Sequence, residues 1–132
     1  IKALKSNEDA ILEVVKEGGQ IPENVYVKHL NGPVFFGATN ELQALSRQLN
    51  EHATHLIIRM EKVPYIDQSG LYTLEDILLN LKQKGIGVSI TGIQQQPLYL
   101  LKRIKIVPDL IAEKHLFNDF GVCLEYHKGF QK

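Results

Sequence analysis

The chain has 132 residues, 44% of them hydrophobic and 23% charged, and its 15 basic side chains balance 15 acidic ones. That length suits one domain with a real core, and the neutrality excludes a strong overall field for nucleic acid or anionic lipid. The single cysteine, Cys123, excludes an internal disulfide and a multi-cysteine zinc site, and no apolar run nears the ~18 residues that span a bilayer.

In chain order, Ser6-Asn7-Glu8-Asp9 supplies a helix cap with acids in the first turn, Ile11, Val14 and Val15 follow at helical spacing, and Gly18-Gly19 ends the run. Val25 to Leu30 reads as a strand. Asn31-Gly32 is a hairpin turn signal, and Val34-Phe35-Phe36 is the expected return strand. Leu42, Leu45 and Leu49 stripe one face of a helix capped by Thr39 or Asn40.

The stretch His55 to Gly92 organises the rest. Leu56-Ile57-Ile58 is an apolar run without alternation, the mark of a strand covered on both faces. Leu71, Leu74, Ile77, Leu78 and Leu81 then line one side of a helix. Glu75 and Asp76 are read toward its start and Lys82 and Lys84 at its end, as the helix dipole prefers. Gly85 suits the left-handed exit. Ile86, Val88 and Ile90 predict the next strand, so strand, helix and strand imply a parallel crossover. Beyond it, Pro97 starts a helix with Leu98, Leu101 and Ile104 inward, and Pro108 is expected to stop it. Leu110-Ile111 is read as a short edge strand, and Asn118 or Asp119 caps a last helix that carries Phe120, Cys123, Leu124 and His127.

The loop Asp67-Gln68-Ser69-Gly70 is the first candidate for chemistry, because it follows the carboxyl end of a buried strand, where α/β sheets place ligands. Ser69 would sit at a helix start, where a phosphate of about −1.5 to −2 charge is tolerated. The plainer reading makes Asp67 or Ser69 an N-cap contributing ~1 kcal/mol. The surroundings of Ser69 lack the G-x-S-x-G pattern of a hydrolase nucleophile, and no histidine can be assigned as its base. There is no phosphate-binding loop, and Gly85-Ile86-Gly87 lacks the third glycine of a dinucleotide fingerprint. His52 and His55 straddle a helix-to-strand boundary, and His29, His115 and His127 are scattered, which argues against a metal site. Lys102, Arg103 and Lys105 form a basic helix end that could meet phosphate or acidic headgroups, although a solvated end is commoner.

Taken together, these segments resemble the STAS domain, shared by bacterial anti-sigma factor antagonists and the cytoplasmic tails of SulP-type anion transporters. A buried strand running into D-x-[ST]-G is the group's hallmark, here Asp67-Gln68-Ser69-Gly70. Gly32-Pro33-Val34-Phe35-Phe36-Gly37-Ala38, Val63-Pro64-Tyr65-Ile66-Asp67, Gly70-Leu71-Tyr72 and Val88-Ser89-Ile90-Thr91-Gly92 are similar to the transporter branch. Tyr72 replaces the glycine with which antagonists usually continue, which favours that branch.

The resemblance implies an α/β fold with a mixed sheet of four to five strands and helices packed mainly on one face. It divides the chain into a linker and helix over residues 1–24 after an absent membrane domain, a STAS domain over 25–127 and a tail over 128–132. The chain's opening at Ile1 fits that expectation. The implied function is a regulatory, non-enzymatic domain of a sulfate, bicarbonate or dicarboxylate transporter, at the cytoplasmic face of the inner or plasma membrane. Its partners would be the transporter's own membrane domain, cytosolic regulatory proteins and a second copy of the parent, with no nucleic acid. The contact loop carries Tyr65, Asp67, Gln68, Ser69, Gly70, Leu71 and Tyr72, with Ser69 as the phosphorylation site. No cofactor or metal is expected; weak nucleotide binding in the loops after the strands is a third reading. The alternative function is a free-standing anti-sigma factor antagonist switched at Ser69.

Overall fold

The computed structural model describes residues 24–32, 49 and 53–131. Four strands lie side by side in chain order: β1 (Val25–Asn31), β2 (His55–Lys62), β3 (Gly87–Thr91) and β4 (Leu116–Phe117). All three pairings are parallel, with Val27 opposite Ile57, Ile57 opposite Ser89 and Ile90 opposite Leu116. Helices α1 (Gln68–Gln83), α2 (Gln95–Arg103), the short α3 (Ile106–Asp109) and α4 (Phe120–Gln131), with a single 3-10 turn at Glu113–His115, complete the described elements. The α/β architecture agrees with the expectation. The return strand Val34–Phe36, which would make the sheet mixed, and the helices expected around Ile11 and Leu42 lie outside the described residues.

Strand β2 is the spine of the fold. Leu56, Ile58 and Met60 face one side and Ile57 the other, and all are essentially inaccessible. The apolar run therefore lacks alternation because both faces are covered. On the first side, Leu71, Leu74, Ile77, Leu78 and Leu81 of α1 build the larger core, joined by Leu101 of α2. On the second side, Val25, Val27 and Ile57 meet Phe120, Cys123 and Leu124 of α4. Helices thus pack mainly on one face, with α4 covering the other.

Helix α1 ends as its sequence predicts. Ile86 N–H donates to the Leu81 carbonyl at 2.9 Å and Gly85 N–H to that of Lys82 at 3.0 Å, with Gly85 at φ +77°. Glycine makes that left-handed exit without strain. Glu75 and Asp76, however, sit beyond the first turn, which holds no acidic residue. The negative charge facing the helix start comes from Asp67 just outside it.

Three expectations near the carboxyl terminus are corrected. Helix α2 stops before Pro108, because Lys105 turns into the left-handed region (φ 65°) and swings Ile106 into the core. Leu110-Ile111 is not a strand: the Leu110 and Ile111 N–H groups both bond back to the Ile106 carbonyl. The edge strand is Leu116–Phe117, pinned by Gly92 N–H donating to the Phe117 carbonyl at 2.8 Å. Finally, residues 128–131, expected as a tail, continue α4, and Lys132 lies outside the described residues. Asp119 caps that helix as expected, its Oδ1 accepting from Val122 N–H at 3.1 Å.

Candidate functional site

The loop after β2 is shaped by alternating anchors. Val63 and Ile66 are buried, while Pro64 and Tyr65 between them are exposed. Asp67 is extended (φ −86°, ψ 173°), and its Oδ1 accepts from Gly70 N–H at 2.7 Å. That bond satisfies one of the free donors at the start of α1. Asp67, and not Ser69, is therefore the cap.

Ser69 lies inside the first turn of α1 and faces solvent. Its carbonyl accepts from the Thr73 hydroxyl at 3.0 Å, and its own hydroxyl makes no hydrogen bond among the described residues. One turn on, Gln68 Nε2 donates to the Tyr72 hydroxyl at 3.2 Å, which orients that ring along the helix. Tyr65 is 45% exposed and Tyr72 47%. Gly70 and Leu71 are buried, so of the seven expected contact residues these two serve the packing.

A second segment completes the site. Gln96, in the first turn of α2, accepts from Ile66 N–H at 2.9 Å through Oε1 and donates from Nε2 to the Ile66 carbonyl at 3.0 Å. The side-chain amide thus pairs with one residue of the loop as a neighbouring strand would. Between loop, α1 and α2 lies an open groove of about 410 Å³, bounded by Tyr65, Gln68, Leu71, Tyr72, Leu100 and Arg103 among others.

A polar cluster joins the carboxyl ends of β2 and β3. Glu61 Oε2 accepts from the Thr91 hydroxyl at 2.8 Å, Oε1 lies 3.3 Å from Arg59 Nε, and the Glu61 carbonyl accepts from Gln94 Nε2 at 3.0 Å. The Arg59 guanidinium lies 4.2 Å from the centre of the Phe120 ring, a cation–π contact. Gly92 (φ +63°) crosses this cluster so closely that a Cβ there would collide with Glu61 Cγ. Neither this cluster nor the Gln96 clamp was foreseen. The polar residues of Thr91–Gln96 were the available signal, but nothing local says what they reach.

The remaining reactive side chains stand apart. His55 opens β2, at the strand end away from the loop, with Nδ1 3.0 Å from the Thr54 hydroxyl. Burial, and secondarily the charge of His115, hold it below its ordinary 6.5. His115, just before β4, packs edge-on to Tyr126 with ring centres 5.7 Å apart. Burial, and then Lys114, hold it low as well. His29 lies on β1 opposite Arg59; His52 and the side chain of His127 lie outside the described residues. Among the described residues no three His, Cys, Asp or Glu side chains gather as a metal site would require. Burial pushes the Cys123 thiol up to about 12, with a hydrogen bond to Ser89 pulling the other way. A thiol so protonated is packing, not a nucleophile. No helix among the described residues is long and apolar enough to cross a membrane.

This geometry, a buried strand delivering a capped D-x-S-G turn beside a groove, has relatives. Residues 19–121 match the family described as the STAS domain. The chain belongs to the STAS domain family.

Among relatives of this STAS domain, YvdB of Bacillus subtilis (strain 168), named as a candidate sulfate transporter, is 31% identical over 90 residues. That alignment covers 67% of this chain but 17% of YvdB, so the STAS domain spans about a sixth of its relative's length. A sulfate transporter family protein from Wolinella succinogenes superposes with a TM-score of 0.78 at 25% identity, over 87% of this chain and 93% of that one. The SulP transporter STAS domain from Vibrio cholerae gives 0.75 at 26%, over 94% and 97%. The domain is thus similar to the STAS domains of SulP-type transporters in both sequence and fold.

Proposed function

We propose that this STAS domain is the cytoplasmic regulatory and assembly module of a SulP-type anion transporter, and that it is not an enzyme. On this reading it transports nothing itself. It meets the transporter's membrane domain, or cytosolic proteins that adjust it, through the loop from Tyr65 to Tyr72. The observation that carries the proposal is the rim of the groove, where two large aromatic rings stand half in solvent on a rigid, capped turn. Tyrosine is a preferred interface anchor because it offers area at little entropic cost. The sulfate-transporter names of two relatives and the SulP-transporter name of a third supply the context.

The experiment is anion uptake by the whole transporter carrying this domain, compared with the same protein bearing Tyr65→Ala and Tyr72→Ala together. Sulfate is the first anion to test. The expected result is a changed uptake rate at equal abundance in the membrane. Uptake identical to wild type would remove the loop from regulation.

A second reading, the phospho-switch at Ser69, is favoured by one observation: the residue is exposed at a helix start, and its hydroxyl makes no hydrogen bond among the described residues. Phosphate mapping in the native host tests it, and an unmodified Ser69 under all growth conditions would end it.

A further inference from the structure

The groove has a polarity that the contact-surface reading leaves unassigned. Leu71 on its floor is buried, and Leu100 and Ile104 are half-buried against the core. Arg103 is the one charged side chain among its lining residues; it is exposed and makes no ion pair among the described residues. The neighbouring Lys102 differs, since its Nζ lies 4.0 Å from Glu113. The walls therefore combine aromatic and aliphatic side chains with the amides of Gln68 and Gln96, and the single formal charge is positive.

We infer that this groove docks a short acidic protein segment, with an aliphatic or aromatic side chain set on Leu71 and Leu100 and a carboxylate against Arg103. The inference rests on reading the loop as a contact surface and adds the chemistry of what it contacts. Charge complementarity selects the acid, and the guanidinium fork matches a carboxylate with two parallel hydrogen bonds. The concave shape selects a segment over a lipid surface, because a flat bilayer would reach the tyrosine rim and Arg103 but not the leucines below. The Gln96–Ile66 pairing holds one wall in place before anything binds, which lowers the ordering cost of association. Ser69 follows Gln68 of the groove, so a phosphate on it would add negative charge beside the acidic segment and weaken docking.

The test is selection of a random linear peptide library displayed on phage, run in parallel on the 132-residue wild-type chain and on R103E. Enriched peptides are resynthesised and titrated against the isotope-labelled chain by amide chemical-shift mapping. Wild type should enrich peptides pairing Asp or Glu with a bulky apolar residue, and their shifts should centre on residues 65–72 and 96–104. R103E should lose those peptides and favour basic ones, while Tyr72→Ala should weaken binding about tenfold or more, as loss of an interface anchor does. Both substitutions are at exposed positions, and unchanged melting would show that the fold is intact. Peptides without acidic bias, shifts elsewhere, or indifference to R103E would overturn the inference. So would binding to phosphatidylglycerol vesicles through Arg103 and Tyr99, an exposed residue of α2 outside the groove, with no peptide enriched. The outcome is independent of the uptake assay: peptide docking with unaltered transport would sink the regulatory reading and leave this inference standing.

Discussion

Gln96 and Ile66 are 30 positions apart, yet one side-chain amide satisfies both backbone polar groups of the other residue. A part-buried N–H or C=O left without a partner costs roughly 1–3 kcal/mol. Gln96→Ala should therefore destabilise the domain by about 2 kcal/mol in urea unfolding, and the Ile66 amide should lose protection from hydrogen exchange. Gln96→Glu should lose less, because an acceptor for the Ile66 N–H remains. Unchanged protection in Gln96→Ala would mean that water replaces the amide at no cost.

Asp67 and Ser69 separate a cap from an exposed surface residue. Asp67→Ala should lower stability by about 0.5–2 kcal/mol, with Asp67→Asn close to wild type, since asparagine caps as well. Ser69→Ala should stay within about 0.5 kcal/mol, as exposed substitutions away from special features do. Equal losses at the two sites would show that the hydroxyl of Ser69 shares the capping.

Gly92, just after β3, is where the chain passes Glu61. Alanine there brings a Cβ into the Glu61 side chain and holds a left-handed φ that costs an L-residue roughly 1–2 kcal/mol. Gly92→Ala should therefore cost at least that much, and it should break the Glu61–Thr91 hydrogen bond. Adding Glu61→Ala removes the obstacle, so the double variant should recover part of the loss in a double-mutant cycle. Strict additivity would put the strain in the backbone alone.

His55 and His115 both have values below 6.5 in the folded protein, from burial first and then from each neighbour's positive charge. The unfolded chain binds these protons more readily, so stability is fully present above pH 6.5 and is lost as pH falls through the lowered values. Urea midpoints should decline from pH 7.5 toward pH 5. His115→Gln should flatten the decline twice over, by removing one titrating group and one repulsion on His55. Histidine ring resonances titrating at or above 6.5 would contradict the sign.

Much of this protein was legible in its sequence, for reasons that are local. The apolar stripe of α1 is wholly buried, the run Leu56–Ile58 lies between two layers, and Gly85 makes the helix exit. Each depends on periodicity or on the φ preference of a single residue, which act within a turn or two of chain. The D-x-S-G segment follows β2 as expected, although Gln68, Ser69 and Gly70, read as loop, already form the first turn of α1.

Tertiary structure decided what depends on reach. Asp67 and Ser69 are both good caps in isolation, and only the path of the chain out of β2 puts the Asp67 carboxylate on the Gly70 N–H. Leu110-Ile111 and Leu116-Phe117 are both apolar pairs. The second became the edge strand because it lies beside Ile90 and Thr91, while Ile111 went into the core. The groove lies between the loop and α2, which Gln96 ties together by reaching back to Ile66. Hydrogen bonds across some 30 residues leave no periodic trace in a sequence, and that is where the candidate site is made.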